Sequence, residues 1–489
     1  MKKLKILFCA PEVSPYAKTG GLADVTGALP ASLQNLGCDV RIFMPLHRCA
    51  RDKVQDLKLV VEGTPIPVGI HDYHVQLWES RTSTGIPLYL LEKDEFFDRS
   101  YLYGTPNRGD YEDNAERFIT FCRSVHSLCS QLSWFPEIFH LHDWQTALIA
   151  TYHFYHWRYD PNFMHTGTVF TIHNLAYHGL FPGNHFNLTH LPQDVFSPDG
   201  MEFWGNCNFL KAGLVYSDFL TTVSPTYSKE IQQPRFGHGL EGVLQLRRDR
   251  LAGILNGIDT NLWDPRTDAL ISKQYDIGDL SGKRICKEQL LSQLGFPKEN
   301  CGKPLLGMVG RLAIQKGFDI LLKSIEAMMD LPISLIILGT GEPEIERQLK
   351  LVENLHPEKV KIIFQFDEVL AHQIEAGADI FLMPSRYEPC GLNQMYSLRY
   401  GTIPVVHATG GLEDSVVDVL KDSENGTGFK FYEYKSEAFM EALHSALEMF
   451  QNALQWTKLQ RRAMTQDFSW DRSAQEYLKL YERIHQEKI

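Results

Sequence analysis

The chain has 489 residues, 44% hydrophobic and 22% charged, too long for one hydrophobic core and too ordinary in composition for a disordered, collagen-like or coiled-coil protein. Lys plus Arg is 48 and Asp plus Glu is 60, so the net charge is −12, which makes the chain a poor general binder of nucleic acid or an anionic membrane. No run of roughly 18 apolar residues offers a membrane span. The nine cysteines are scattered without a C-x-x-C pair, which fits reduced thiols in a cytoplasmic setting rather than a disulfide framework or zinc ribbon.

In chain order, Met1–Ala10 imitates a signal peptide for a few residues. It runs into Pro11-Glu12 without a small-residue cleavage site, so Lys5–Ala10 is expected to be a buried strand. Leu22, Val25, Leu29, Leu33 and Leu36 recur at helical spacing, with Pro30 expected to kink or restart the helix. Strand Val40–Met44 follows Gly37, and strand, helix, strand implies a right-handed parallel unit. Further strands are expected at Glu137–Leu141, Thr168–Ile172 and Phe219–Val223. Between Pro182 and Asn206 the Pro-, Asn-, Gly- and His-rich chain reads as an irregular surface excursion able to cover a site.

Asn256-Gly257-Ile258-Asp259 with Trp263-Asp264-Pro265 is a turn-rich seam. Beyond it the alternation restarts. Strands are expected at Leu305–Val309, Ser334–Leu338, Lys361–Gln365, Asp379–Met383 and Ile403–Val406. Helices are expected at Phe318–Met329, Glu344–Glu353, Glu368–Ala376 and Leu392–Tyr400. Ser469–Ile489 reads as a charged amphipathic helix. The fold class is α/β, with two doubly wound domains expected to face each other across a cleft. Ligands of such sheets bind beyond the carboxyl ends of the strands.

Several constellations stand at those ends. Lys18-Thr19-Gly20-Gly21-Leu22 precedes the first helix. It is either an anion site of exposed amides and a cation or simply a turn that needed glycine; it matches neither the dinucleotide nor the P-loop pattern. Gly310-Arg311 and Gln315-Lys316-Gly317 repeat the arrangement in the second half, as a phosphate site or as solvated surface charges. Glu388, within Arg386-Tyr387-Glu388-Pro389-Cys390-Gly391-Leu392, could hold sugar hydroxyls or complement a helix dipole. Thr409-Gly410-Gly411-Leu412 is a further glycine turn, expected to add backbone amides at a strand end. His140, His142 and Asp143 invite a metal reading, with a metal-dependent hydrolase as its consequence, although companion ligands are not evident. His173-Asn174 could hydrogen-bond a polar ligand or be structural.

Taken in order, these segments closely resemble the bacterial glycogen synthases and plant starch synthases. The resemblance rests on Lys18–Val25, His142-Asp143-Trp144, His173–Tyr177, Thr222–Tyr227 and Asn256–Asp259. It continues through Gly310-Arg311-Leu312, Gln315-Lys316-Gly317 and Pro384–Leu392. It implies a GT-B fold of two Rossmann-like domains, 1–255 and 256–468, with a helix over 469–489 crossing back to the first. It implies transfer of glucose from ADP-glucose to the non-reducing end of an α-1,4-glucan with retention, without a metal or other cofactor.

The resemblance also implies residue roles. Arg311 and Lys316 would neutralise the departing diphosphate, with Lys18, Gly20 and Gly21 approaching the phosphates from the other domain. Glu388 and the amides near Cys390, Gly391 and Leu392 would hold the glucose, His173 with Asn174 would contact it, and Asp143 would line the acceptor side. Tyr396 stands where the wider GT-B group has a second glutamate. Phe366 stands where bacterial enzymes often have a Tyr to stack on adenine. A non-catalytic glucan binder is the other alternative; intact Lys18, Arg311, Lys316 and Glu388 argue against it.

Overall fold

In a computed structural model, which describes residues 3–105 and 109–489, the chain forms two compact units. One comprises Met1–Gly257 and Trp470–Ile489, the other Ile258–Ser469. Met1 and Lys2 of the signal-like start lie outside the described residues.

The first unit is built on a nine-stranded sheet. Strand Lys5–Cys9 lies at its middle, flanked by Asp39–Pro45 on one side and Ile138–His142 on the other, both parallel to it. Gly167–Ile172, Phe219–Thr222 and Leu251–Gly253 continue the parallel order beyond Ile138–His142. Ile6, Leu7, Phe8 and Cys9 are all buried, as a parallel strand covered on both faces requires. The chain runs outward from Lys5–Cys9 in both directions, which makes its carboxyl end a topological switch point.

Two expectations are corrected in this unit. Helix Gly21–Asn35 continues through Pro30 rather than restarting there. Proline removes a single backbone donor, and the buried Leu22, Val25, Leu29 and Leu33 hold the helix on the sheet. The stretch expected to be irregular contains paired strands: Leu180–Pro182, Asn206–Asn208 and Glu202–Phe203 form a small antiparallel sheet.

The last helix, Trp470–Lys488, belongs to the first unit. Trp470, Ala474, Tyr477, Tyr481 and Ile484 form its buried stripe at helical spacing. Gly167 lets it approach the sheet, since a Cβ there would stand 2.3 Å from Ile484 Cγ2.

The second unit carries a six-stranded, wholly parallel sheet. Its order is Val360–Ile363, Ser334–Leu338, Leu305–Val309, Ile380–Met383, Ile403–His407, Phe429–Phe431. The switch point lies between Leu305–Val309 and Ile380–Met383. Helices Phe318–Met329, Pro343–Leu355, Glu368–Gly377 and Asn393–Arg399 alternate with the strands. Among the described residues, no helix is long and apolar enough to cross a membrane.

Candidate active site

In the second unit, three neighbouring strands deliver the candidate residues. Leu305–Val309 ends at Gly310-Arg311 and leads into the short turn Ile314–Lys316. Gly317 follows with φ 84°, and a Cβ there would stand 1.9 Å from the Pro384 carbonyl oxygen, so glycine is required. This close approach brings Lys316 to the loop after Ile380–Met383. There the Lys316 ammonium donates to Glu388 Oε2 at 2.6 Å, and the Ser385 hydroxyl donates to the same oxygen at 3.2 Å. The Glu388 side chain is buried while Lys316 is about a quarter exposed. Glu388 therefore orients a cation at the switch point. It caps no helix, because Asn393–Arg399 begins further on with Leu392 as its N-cap.

The loop carrying Glu388 is held on both sides. Arg386 N–H donates to the Gln315 carbonyl at 2.9 Å, and Gly411 N–H donates to the Glu388 carbonyl at 3.1 Å. A Cβ on Gly410 would meet the Glu388 carbonyl at 1.9 Å and one on Gly411 the Cys390 carbonyl at 2.1 Å. Gln394 ties down the Cys390-Gly391 turn, its amide nitrogen standing 3.0 Å from both carbonyls. Cys390 is buried and Gly391 has φ 71°. Arg311 is exposed, its guanidinium 3.0 Å from Gln315 Oε1.

Phe366 follows edge strand Val360–Ile363 and is 87% exposed, a free ring at the same end of the sheet. Tyr396 does not face a ligand alone. Its ring stacks on Trp263 at 3.9 Å, and Trp263 stacks on His372 at 3.7 Å, so the tyrosine closes a three-ring pile that pins the Trp263 segment.

In the first unit the candidates again gather at adjacent strand ends. Asp143 follows Ile138–His142 with φ 54° and ψ −176°, a region that glycine populates and other residues rarely do. Its Oδ1 accepts the His173 N–H at 2.7 Å, binding the end of Ile138–His142 to the end of Gly167–Ile172. Burial pushes the Asp143 carboxyl up to about 7, against the backbone donors of His173 and Asn174 that pull it down. His173 Nε2 stands 3.0 Å from His142 Nδ1, and burial pushes His173 down to about 3, so the pair is neutral. Asn174 Oδ1 accepts the Ala176 N–H at 3.1 Å and shapes the turn after His173.

The Lys18–Gly21 loop is organised by Glu12, which sequence reasoning missed. This buried carboxylate accepts the Thr19 N–H, the Thr19 hydroxyl at 2.6 Å and the Tyr103 hydroxyl at 2.6 Å. Burial raises its pKa despite those donors. Its only sequence signal is its position in Pro11-Glu12, directly beyond the first strand. Lys18 pairs with Asp24 at 2.6 Å on the surface. A Cβ on Gly20 would meet no atom within 4 Å, so its backbone borders open space at the head of helix Gly21–Asn35.

Among the described residues, the metal reading of His140, His142 and Asp143 gains no companion ligands from the fold. His140 uses both ring nitrogens, with Thr171 Oγ1 and the Tyr481 hydroxyl each at 2.7 Å. His142 Nδ1 faces His173, and Asp143 holds a backbone amide. Among the described residues, no group of three or more His, Cys, Asp or Glu side chains is placed to hold a metal ion.

Comparison with known proteins agrees with this geometry. The family model for the starch synthase catalytic domain matches residues 5–246, and that for glycosyl transferases group 1 matches residues 294–462. The glycogen synthase of Koribacter versatilis (strain Ellin345) is 44% identical over 483 residues, covering 99% of each chain. That of Anaeromyxobacter sp. (strain Fw109-5) is 46% identical over 487 residues, 98% of this chain and 99% of that one. The solved catalytic domain of starch synthase IV from Arabidopsis thaliana, bound to ADP and acarbose, superposes with a TM-score of 0.92 at 33% identity, over 99% of this chain and 100% of that one. The sucrose-phosphate synthase of Thermosynechococcus elongatus, at 17% identity and a TM-score of 0.60 over 99% of each chain, shares the fold. These matches support neither the hydrolase nor the non-catalytic alternative. The chain belongs to the glycogen synthase and starch synthase family, glycosyltransferases of the GT-B fold.

Proposed function

We propose that the chain transfers glucose from ADP-glucose to the non-reducing end of an α-1,4-glucan with retention of configuration. The observation that carries this reading is the Lys316–Glu388 pair: a cation aimed by a buried carboxylate at the switch point of a nucleotide-binding type of sheet. That the starch synthase IV structure holds ADP and acarbose supports a nucleotide donor and a glucan acceptor here.

The roles follow from charge and position. Lys316 and Arg311 stabilise negative charge as the bond between glucose C1 and the diphosphate breaks. Both side-chain bonds described for Glu388 end on Oε2, and Oε1 is the oxygen assigned to a glucose hydroxyl. The Gly410-Gly411 segment and the Cys390-Gly391-Leu392 amides complete the sugar's surroundings, and Phe366 offers its exposed face to adenine. In the first unit, Lys18 and the Gly20-Gly21 backbone serve the phosphates, neutral His173 with Asn174 contacts the glucose, and Asp143 serves the acceptor. The acceptor 4-hydroxyl bonds to C1 on the face the phosphate leaves. Its proton passes to the leaving phosphate oxygen, and ADP departs.

The test is ADP release in a coupled assay, with glycogen as acceptor and ADP-glucose beside UDP-glucose as donor. The reading expects a strong preference for ADP-glucose; equal kcat/KM for the two donors would reject that assignment.

A further inference from the structure

One residue of the excursion between Pro182 and Asn206 has no part in the roles above. Trp204 is 85% exposed at the tip of the hairpin joining Glu202–Phe203 to Asn206–Asn208. Trp204 has φ 52° and Gly205 has φ 81°. Two positive φ values in a two-residue hairpin loop mark a type I′ turn, whose first position favours Asn, Asp or Gly. Tryptophan is a poor choice there, and so exposed a ring adds little to the core in return. An outlier of this kind, held by its surroundings, points to function.

The hairpin is held firmly. Gly205 N–H donates to Glu202 Oε1 at 2.6 Å, and the Lys211 ammonium donates to the Pro198 and Glu202 carbonyls, each at 2.6 Å. A Cβ on Gly183 would stand 2.4 Å from the Gly205 carbonyl oxygen, so the residue directly after strand Leu180–Pro182 packs closely against the turn. The base of the hairpin joins the strand-end cluster: Phe209 N–H donates to the Gly179 carbonyl at 3.1 Å, and Gly179 lies on the ring of Trp144, the residue after Asp143. From that base the tip stands out by roughly 10 Å at the rise of an extended strand. Tyr177 and Leu180, both half-exposed, lie along the same segment.

We propose that Trp204 is a stacking platform for a glucosyl residue of a polymeric α-glucan, several units from the end that is extended. This rests on the acceptor reading given under Proposed function. A pyranose ring presents C–H groups on its face and hydroxyls at its rim, so it covers an indole while its hydroxyls stay in water. Of the charged residues nearest the turn in sequence, Asp199, Glu202 and Lys211, the lysine is buried and spent on the Pro198 and Glu202 carbonyls while Asp199 is exposed, which suits a neutral carbohydrate better than a nucleotide or phosphorylated ligand.

The test uses the full chain and needs no catalysis in its first arm. Migration in native gels containing glycogen is compared for the wild type, Trp204→Asn, Trp204→Tyr and Ile70→Asn. Asparagine suits the turn, so Trp204→Asn should melt no lower than the wild type. Ile70 is 95% exposed elsewhere in the same unit and controls for lost apolar surface. The expected result is about tenfold weaker retention for Trp204→Asn, as losing one stacked aromatic contact implies, with retention restored in Trp204→Tyr and undiminished in Ile70→Asn. In the second arm, Trp204→Asn should raise KM for glycogen more than KM for maltotriose. Unchanged retention in Trp204→Asn, equal loss in Ile70→Asn, or an equal rise for both acceptors would overturn the platform. Absence of glucose transfer by the wild type would reject the functional reading instead, and the gel result would still decide whether Trp204 holds glucan.

Discussion

Lys316 Nζ and Glu388 Oε2 stand 2.6 Å apart across 72 residues of sequence, joining the loops after two adjacent parallel strands. A cation held by a buried carboxylate is aimed before the substrate arrives, and preorganised charge is the most effective kind in catalysis. Replacing Glu388 by Ala should lower kcat by about a hundredfold or more while far-ultraviolet circular dichroism stays unchanged. A variant with near-normal turnover would show that the carboxylate has only a structural part.

Lys316→Ala and Arg311→Ala should each lower kcat by about a hundredfold. The Lys316→Met and Glu388→Gln pair should be strongly non-additive, since each single change already breaks the ion pair. A rise in KM alone would mean that these cations bind the ground state and the transition state equally.

Asp143 carries a pH prediction with a definite sign. Its folded pKa, about 7, lies above the unfolded carboxylate value. Its contribution to stability is full below the unfolded value and is lost as pH rises through 7, where a buried charge forms. Asp143→Asn should therefore raise Tm at pH 8 and change it little at pH 4. His173, whose folded pKa is about 3, acts in the opposite direction: its contribution is full above the unfolded imidazole value and falls as pH drops from there toward 3. Differential scanning fluorimetry of Asp143→Asn beside the wild type across pH 4–8 checks the first sign, and the same scan of His173→Asn checks the second. A Tm gain for Asp143→Asn that is the same at pH 4 and pH 8 would contradict the assignment.

The adenine platform predicts a change of selectivity. Base–aromatic stacking is worth roughly 1–3 kcal/mol, and Phe366 is exposed enough to supply it. Phe366→Ala should weaken use of ADP-glucose about tenfold and UDP-glucose less, narrowing the donor ratio. A donor ratio unchanged by the substitution would remove Phe366 from the base pocket.

The strands of the second unit were legible because they are continuous apolar runs between turn residues, as in Ser334–Leu338. Edge strand Lys58–Val68 was not, because it carries Pro65 and Pro67 and its buried positions, Val61, Ile66 and Val68, break the period of two where the pairing shifts register; proline is tolerated there because an edge strand has an unpaired side. Helix Gly21–Asn35 was legible, but its unbroken run through Pro30 was not, because packing outweighed a local breaker. The site residues could be proposed from the sequence because glycines, cations and acids cluster at strand ends. Their pairings could not. The contact of Lys316 with Glu388, the hold of Asp143 on His173 and the three bonds of Glu12 are set by which strands are neighbours, and that order is a property of the whole sheet.

Transfer of glucose to the outer chain ends of glycogen is the central claim, and the fate of a label tests it most directly. The protein would be incubated with ADP-[14C]glucose and glycogen, and the polymer then digested with β-amylase, which removes maltose from non-reducing ends. The expected result is label in the polymer that β-amylase releases as maltose. Label that never enters the polymer, or that stays in the β-amylase-resistant core, would contradict it.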